Sequence, residues 1–82
     1  MNRCKHDIIN DMLGVLSTDS RRITELCMSG NVPVDRGKEI IATLEKYGLL
    51  IHSGESGEIV YRITDRGYEW LGLYRMIRKV LP

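Results

Sequence analysis

Two cysteines and two histidines in this 82-residue chain offer the sulfur and imidazole ligands that zinc favours: Cys4, His6, Cys27 and His52. Zinc needs three or four such ligands at one point, and strong sites announce themselves by paired spacing such as C-x-x-C. Here there is one C-x-H and two scattered residues, so neither a metal nor any other cofactor is expected. Cys27 is expected in the core. Nucleophilic chemistry is no better supplied. The serines stand in no motif with a histidine and an acid, and "GESGE" lacks the lysine and following helix of a phosphate loop. An enzyme is therefore not expected. Arginine supplies the remaining chemistry, because a guanidinium can hold a phosphate or grip a guanine edge through two hydrogen bonds. Arg21, Arg22 and Arg36 are the candidates, provided the fold sets them on one surface.

The totals bound that fold. The length suits one domain, and an apolar fraction of 43% is enough for a single small core but not for a deep ligand pocket besides. Eleven acids against twelve bases leave a net charge of +1. That balance neither favours nor excludes a nucleic-acid partner, since binding depends on a local patch. No apolar run approaches the ~20 residues of a membrane span, and the first residues carry no signal-peptide core. A cytoplasmic, nucleoid-associated location is expected, with both cysteines as free thiols. No small-molecule ligand and no membrane partner are evident.

Periodicity lays out the elements. Residues 6–17 read as a helix, with Ile8, Ile9, Met12, Leu13 and Leu16 on one stripe. After the polar turn "STDSRR", a short helix in "ITELCMSG" is expected, capped by Thr24 and ended by Gly30 in a left-handed conformation. Pro33 suits the entry to a third helix over 34–47, which turns Val34, Ile40, Ile41 and Leu44 one way and stops at Gly48. The period then changes to two. "LLIHS" and "EIVYRI" read as strands around a Gly54-Glu55-Ser56-Gly57 turn. Thr64 can cap a final helix over 65–80, with Asp65 at its start and Arg78 and Lys79 near its end complementing the dipole. A lone hairpin is unstable in water, so it must lie on the helices. Three helices, a hairpin and a helix make a mainly α winged helix-turn-helix.

The chain resembles the small archaeal winged-helix transcriptional regulators, some of which pair through a C-terminal helix into antiparallel coiled-coil dimers. The likeness rests on "LEKYGLL" at 44–50, on "YRITDRGYEWL" at 61–71, and on Thr24 and Leu26 in the second helix. It departs at three places. Gly37 stands where such proteins usually carry a core leucine, at a cost of about 1 kcal/mol relative to alanine and with thinner packing. Pro33 replaces a polar cap. The hairpin tip "SGESGE" is acidic where a DNA-gripping wing would be basic.

Taken as the recognition helix, the third helix turns Asp35, Glu39, Ala42, Thr43 and Lys46 away from the core, with Arg36 and Lys38 flanking. Arg36 is the best candidate for guanine, and a carboxylate can accept from cytosine. Arg21 and Arg22, ahead of the second helix with Thr24, are placed for phosphate, because the free N–H groups of a helix start attract it. Lys38, Lys46 and Arg62 are weaker candidates of the same kind. In the wing, His52, Ser53 and Ser56 can bond a backbone while Glu55 and Glu58 repel it, so a hairpin that only closes the core is the better expectation.

The last helix is the oiliest. From Trp70 to Leu81, eight of twelve residues are apolar, and Trp70, Tyr74, Ile77 and Leu81 follow the 4-3-4 spacing of a coiled-coil seam that Leu73 and Val80 widen. Tyr68 and Leu71 are expected to pack back on the domain while the distal half projects. An exposed patch of that size is unusual on a monomer, so a two-fold dimer is expected to bury it. The expectation is a winged domain over 1–63, a dimerisation helix over 64–82, and a homodimer that binds double-stranded DNA as a transcriptional regulator. The alternative is a winged-helix module for protein–protein contacts with little DNA affinity.

Overall fold

The computed structural model describes residues 4–55 and 57–80. The order is α1 (Lys5–Leu16), α2 (Ile23–Gly30), α3 (Val34–Lys46), β1 (Leu50–Ser53), β2 (Val60–Ile63) and α4 (Asp65–Val80). The stripe read from the sequence of α1, Ile8, Ile9, Met12, Leu13 and Leu16, is wholly buried. It meets Leu26 of α2, Ile40, Ile41 and Leu44 of α3, Leu50 of β1 and Leu71 of α4 in one core. Each such side chain contributes roughly 1.5–3 kcal/mol on leaving water.

The turns explain how short helices pack so closely. At the start of α2 the Glu25 carboxylate accepts the Arg22 backbone N–H at 3.2 Å, while Thr24 stands exposed inside the first turn and caps nothing. The left-handed residue after α2 is Asn31 (φ 55, ψ 49) and not Gly30, because asparagine tolerates that region and Gly30 is needed elsewhere. Gly30 is buried, and a Cβ there would lie 3.0 Å from Ile8 and 3.1 Å from Met12. Pro33 caps α3 at φ −62, where its missing N–H costs nothing. Gly48 ends the following turn at φ +76.

Gly37 finds its reason here. A Cβ at that position would clash with the Cys27 sulfur. The thiol of α2 fills the space that a leucine of α3 would otherwise claim, and burial pushes its pKa up. Val34 departs from expectation. It sits 40% exposed, because the α2–α3 turn lays Pro33 and Met28 beside it in place of the core.

β1 and β2 pair antiparallel, from Leu50 opposite Ile63 to Ser53 opposite Val60. Gly54 (φ +106) and Gly57 (φ +91) shape the tip. Ser56, named above as a wing candidate, lies outside the described residues. The segment before α2 is more than a polar turn. Arg21 N–H donates to the Tyr61 carbonyl at 3.1 Å and Tyr61 N–H to the Arg21 carbonyl at 2.7 Å, adding a bridge to the hairpin.

The abrupt strand-to-helix junction is a hydrogen-bonded corner. The Thr64 hydroxyl donates to the Gly48 carbonyl at 2.6 Å and accepts the Gly67 N–H at 3.1 Å, capping α4 as expected. Thr64 N–H donates to the Leu49 carbonyl at 3.2 Å. A Cβ on Gly67 would run into that same carbonyl and into Ile63, so the first turn of α4 is pressed against the loop that follows α3. The direction of α4 is thus fixed at its root.

Candidate nucleic-acid interface

α3 buries Gly37, Ile40, Ile41 and Leu44 on one side. At 100° per residue, Asp35, Glu39, Ala42 and Lys46 lie opposite, and all four are exposed. Two flanks border this face. Val34 and Lys38, one turn apart, run along the α2 side, where Val34 shares a groove with Thr24, Met28 and Pro33. Arg36 and Thr43 run along the other, beside Lys5 of α1. Thr43 is half-buried and its hydroxyl donates to the Glu39 carbonyl at 3.1 Å, so it is turned to its own backbone. The Lys46 ammonium stands over the Tyr47 ring at 5.8 Å.

Ion pairs divide the surface in two. Arg21 pairs with Glu25 at 3.5 Å, His52 Nδ1 meets the Glu45 carboxylate, and Arg78 pairs with Asp7 at 2.8 Å. Among the described residues, Asp35, Arg36, Lys38 and Glu39 enter no such pair. The charges on the outer face of α3 are solvated, held only by their backbone, and available to another molecule.

The two arginines ahead of α2 have different environments. Arg21 is anchored by its backbone bridge to Tyr61, by Glu25, and by a 3.2 Å bond from Nη2 to the Thr18 hydroxyl. Arg22 is exposed beside Thr24. Glu25 occupies the start of α2, whereas the start of α3 is capped only by Pro33, with no side chain bonded to it. Arg62 is exposed on β2, opposite Ile51. His52 reaches from β1 to the last turn of α3, tying the wing to that helix through Glu45. Glu45 and burial together push the Tyr61 phenol pKa up, with burial the larger cause. Glu55 and Glu58 leave the wing tip acidic and exposed.

A second surface lies on α4. Trp70 and Tyr74 stack at 5.1 Å with their planes 8° apart, and His6 of α1 lies 6.3 Å from Trp70. The Tyr74 hydroxyl donates to the Asp7 carboxylate, as does Arg78. That hydroxyl, foremost, then the Cys4 thiol and Arg78, hold the Asp7 pKa below its usual value, and the same bond raises that of Tyr74. Trp70 and Tyr74 are thereby half-buried toward α1, while Ile77 of the expected seam faces water. Leu73, Met76, Ile77 and Val80 are 61%, 63%, 58% and 77% exposed. They form a stripe at i, i+3, i+4 and i+7 with none of the described residues of their own chain over it. Leu81, also named for this surface, lies outside the described residues.

Sequence did not reveal the His52–Glu45 contact, the Arg21–Tyr61 bridge or the Asp7–Tyr74–Arg78 cluster. Each joins residues distant in the chain and has no local signature. Among the described residues, no cluster has metal-binding composition and no helix is long and apolar enough to cross a membrane.

Known proteins share this arrangement. The fold is similar to that of Sso10a-2, a DNA-binding protein from Sulfolobus solfataricus, with a TM-score of 0.83 at 20% identity over 95% of this chain and 81% of that one. It is similar to the adhesin competence repressor of Streptococcus pyogenes, with a TM-score of 0.72 at 14% identity over 89% of this chain. The chain spans 57% of that repressor's length. It is also similar to the homodimeric winged helix-turn-helix DNA-binding domain of Mb0332 from Mycobacterium bovis, with a TM-score of 0.66 at 18% identity over 89% of this chain and 66% of that one. Comparison with curated protein sequences finds no match. A family model described as winged helix-turn-helix matches residues 2–81. With nearly its whole length accounted for in this way, the chain belongs to the winged helix-turn-helix family.

Proposed function

We propose that the protein is a homodimeric DNA-binding transcriptional regulator in which α3 enters the major groove and the distal half of α4 pairs with a second copy. The observation that carries the DNA reading is the outer face of α3. It is exposed along its length and its charges are unpaired, whereas Arg21, Asp7 and Arg78 are spent on contacts within the chain. Arg36 supplies the guanine-gripping fork, Asp35, Glu39 and Thr43 flank it, and Arg22, Thr24, Lys38, Lys46 and Arg62 border the groove as phosphate contacts. Arg21 acts through the hairpin it bridges, with its guanidinium only partly free for phosphate.

The dimer reading rests on the stripe of Leu73, Met76, Ile77 and Val80. A second copy covers it most simply, because a two-fold places the same stripe on both sides. Trp70 and Tyr74 then border that interface. In this division residues 1–63 carry the winged domain and residues 64–82 the pairing helix. The small archaeal regulators, some of which pair in this way, offer the same plan. Pairing also compensates for the few cations on one copy, since two linked reading heads bind with higher avidity than either alone.

Fluorescence anisotropy against mixed-sequence duplex DNA at low salt tests the first part. Submicromolar, salt-sensitive binding that weakens about tenfold in Arg36→Ala is expected, in line with the ~1–3 kcal/mol of one bidentate contact. Absence of binding at low salt sinks it and favours the second reading, a protein–protein module, for which the acidic wing of Glu55 and Glu58 speaks. Light scattering tests the second part. The wild type should show twice the monomer mass and Ile77→Glu the monomer mass; a monomeric wild type ends the dimer proposal.

A further inference from the structure

Val34 is the first residue of α3, apolar, and 40% exposed. It does not stand alone. Met28 of α2, 80% exposed, and Pro33 at the α3 cap border the same shallow groove, whose floor is Val32 and Cys27. Lys38 sits one turn along α3 on the same flank, with its ammonium near enough to Cys27 to bias its titration. This part of the surface thus presents an apolar step followed by a cation, at the end of α3 where a recognition helix meets base edges.

A DNA major groove presents the matching sequence. Its floor displays one apolar group, the C5 methyl of thymine, and its rim is phosphate. Aspartate, arginine or lysine would gain little from that methyl. Valine, with two methyls held in one rotamer by the helix, packs on it without losing side-chain freedom. We propose that Val34, backed by Pro33 and Met28, reads thymine methyls, so that this protein prefers sites with thymine under the first turn of α3. This proposal rests on the DNA-binding reading above and adds a base identity to it. Arg36, on the opposite flank, does not reach the same base step, so the guanine and thymine contacts fall at different positions of the site.

The test removes the methyl and nothing else. One mixed-sequence duplex is synthesised twice, with thymine and with deoxyuridine throughout, and titrated with the full chain at low salt. The thymine duplex should bind about three- to fourfold more tightly for each methyl seated, the value of one buried carbon. Val34→Ser should bring the ratio of the two affinities close to one, and Val34→Ala should lower it while an alanine methyl keeps part of the contact; the position is exposed in the fold, and thermal melts should confirm an intact domain. Lys38→Ala should weaken both duplexes equally and leave the ratio as it is. Equal binding of both duplexes by the wild type overturns methyl reading while leaving DNA binding intact, as does a ratio that survives Val34→Ser unchanged. If neither duplex binds, the DNA-binding reading has failed and methyl reading fails with it. A groove that serves to dock another protein would give the equal-binding result.

Discussion

Within α4, Leu71 is 3% exposed and Val80 is 77% exposed, although both are aliphatic residues of one helix. The proximal half is fixed at its cap, at its first turn and on its core face. Thr64 caps it, Gly67 lets it press on the Leu49 carbonyl, and Leu71 enters the core. The distal half is held to α1 through Tyr74 and Arg78 on Asp7, on one edge, while its apolar stripe faces water. The difference shows that hydrophobicity alone does not say what a residue is for. The proximal half belongs to the energetics of folding and the distal half to those of association.

Substitutions that break this contrast should differ most at its extremes. Leu71→Ala removes a core side chain and leaves a cavity, so it should cost about 2–5 kcal/mol in a urea or thermal unfolding experiment. Val80→Ala in the same experiment, at a concentration where only monomer is present, should stay within ~0.5 kcal/mol. Equal effects would mean that the distal stripe is packed on its own chain in solution.

Next comes the root of the helix. Gly67→Ala places a methyl against the Leu49 carbonyl and Ile63. The backbone cannot give way as a flexible side chain would, so a loss of about 1–3 kcal/mol is expected, despite alanine's better helix propensity. Gly72→Ala, where a Cβ meets nothing within 4 Å, should instead stabilise by about 1 kcal/mol. A pair of melting curves shifted in opposite directions would sharpen the contrast between the two glycines of α4. Thr64→Ala follows, at about 0.5–2 kcal/mol, since it deletes the cap and the bond to Gly48 together.

Much of this was legible from residue order, and the exceptions have one cause. The stripe of α1, the helical run of 65–80, the Thr64 cap and the hairpin glycines are local features, set by a period or by a residue a few positions away. Periodicity places Val34 with the core because it counts only angle around α3; it cannot see that the wall next to the first turn is Pro33 and Met28. Asn31 took the left-handed position expected of Gly30 because Gly30 was already committed to α1. Trp70 and Tyr74 fit a coiled-coil spacing, yet Tyr74 turns toward Asp7, a partner from the other end of the chain. Of the candidate interface, the exposure of Asp35, Glu39 and Lys46 was readable from the wheel. The division between Arg21, engaged with the hairpin, and Arg22, exposed, depended on a tertiary bridge.

The smallest effect concerns the polar cluster that ties the distal half to α1. Tyr74 and Arg78 both donate to Asp7, and the Asp7 pKa is lowered below its ordinary value, foremost by the tyrosine bond. A carboxylate with a depressed folded-state pKa contributes stability above its unfolded value, and that contribution is lost as pH falls through the folded value. The cluster should therefore hold α4 to α1 at neutral pH and release it only in acid, below the ordinary carboxylate range. Asp7→Asn should lower the melting temperature slightly at neutral pH, since exposed charge pairs are worth little. In the acid range its melting curve should converge on that of the wild type, where Asp7 has already been neutralised. Tyr74→Phe should remove most of the same pH dependence while leaving the stack on Trp70 in place. Curves that stay parallel from neutral to acid pH would mean that Asp7 titrates alike in the folded and unfolded chain.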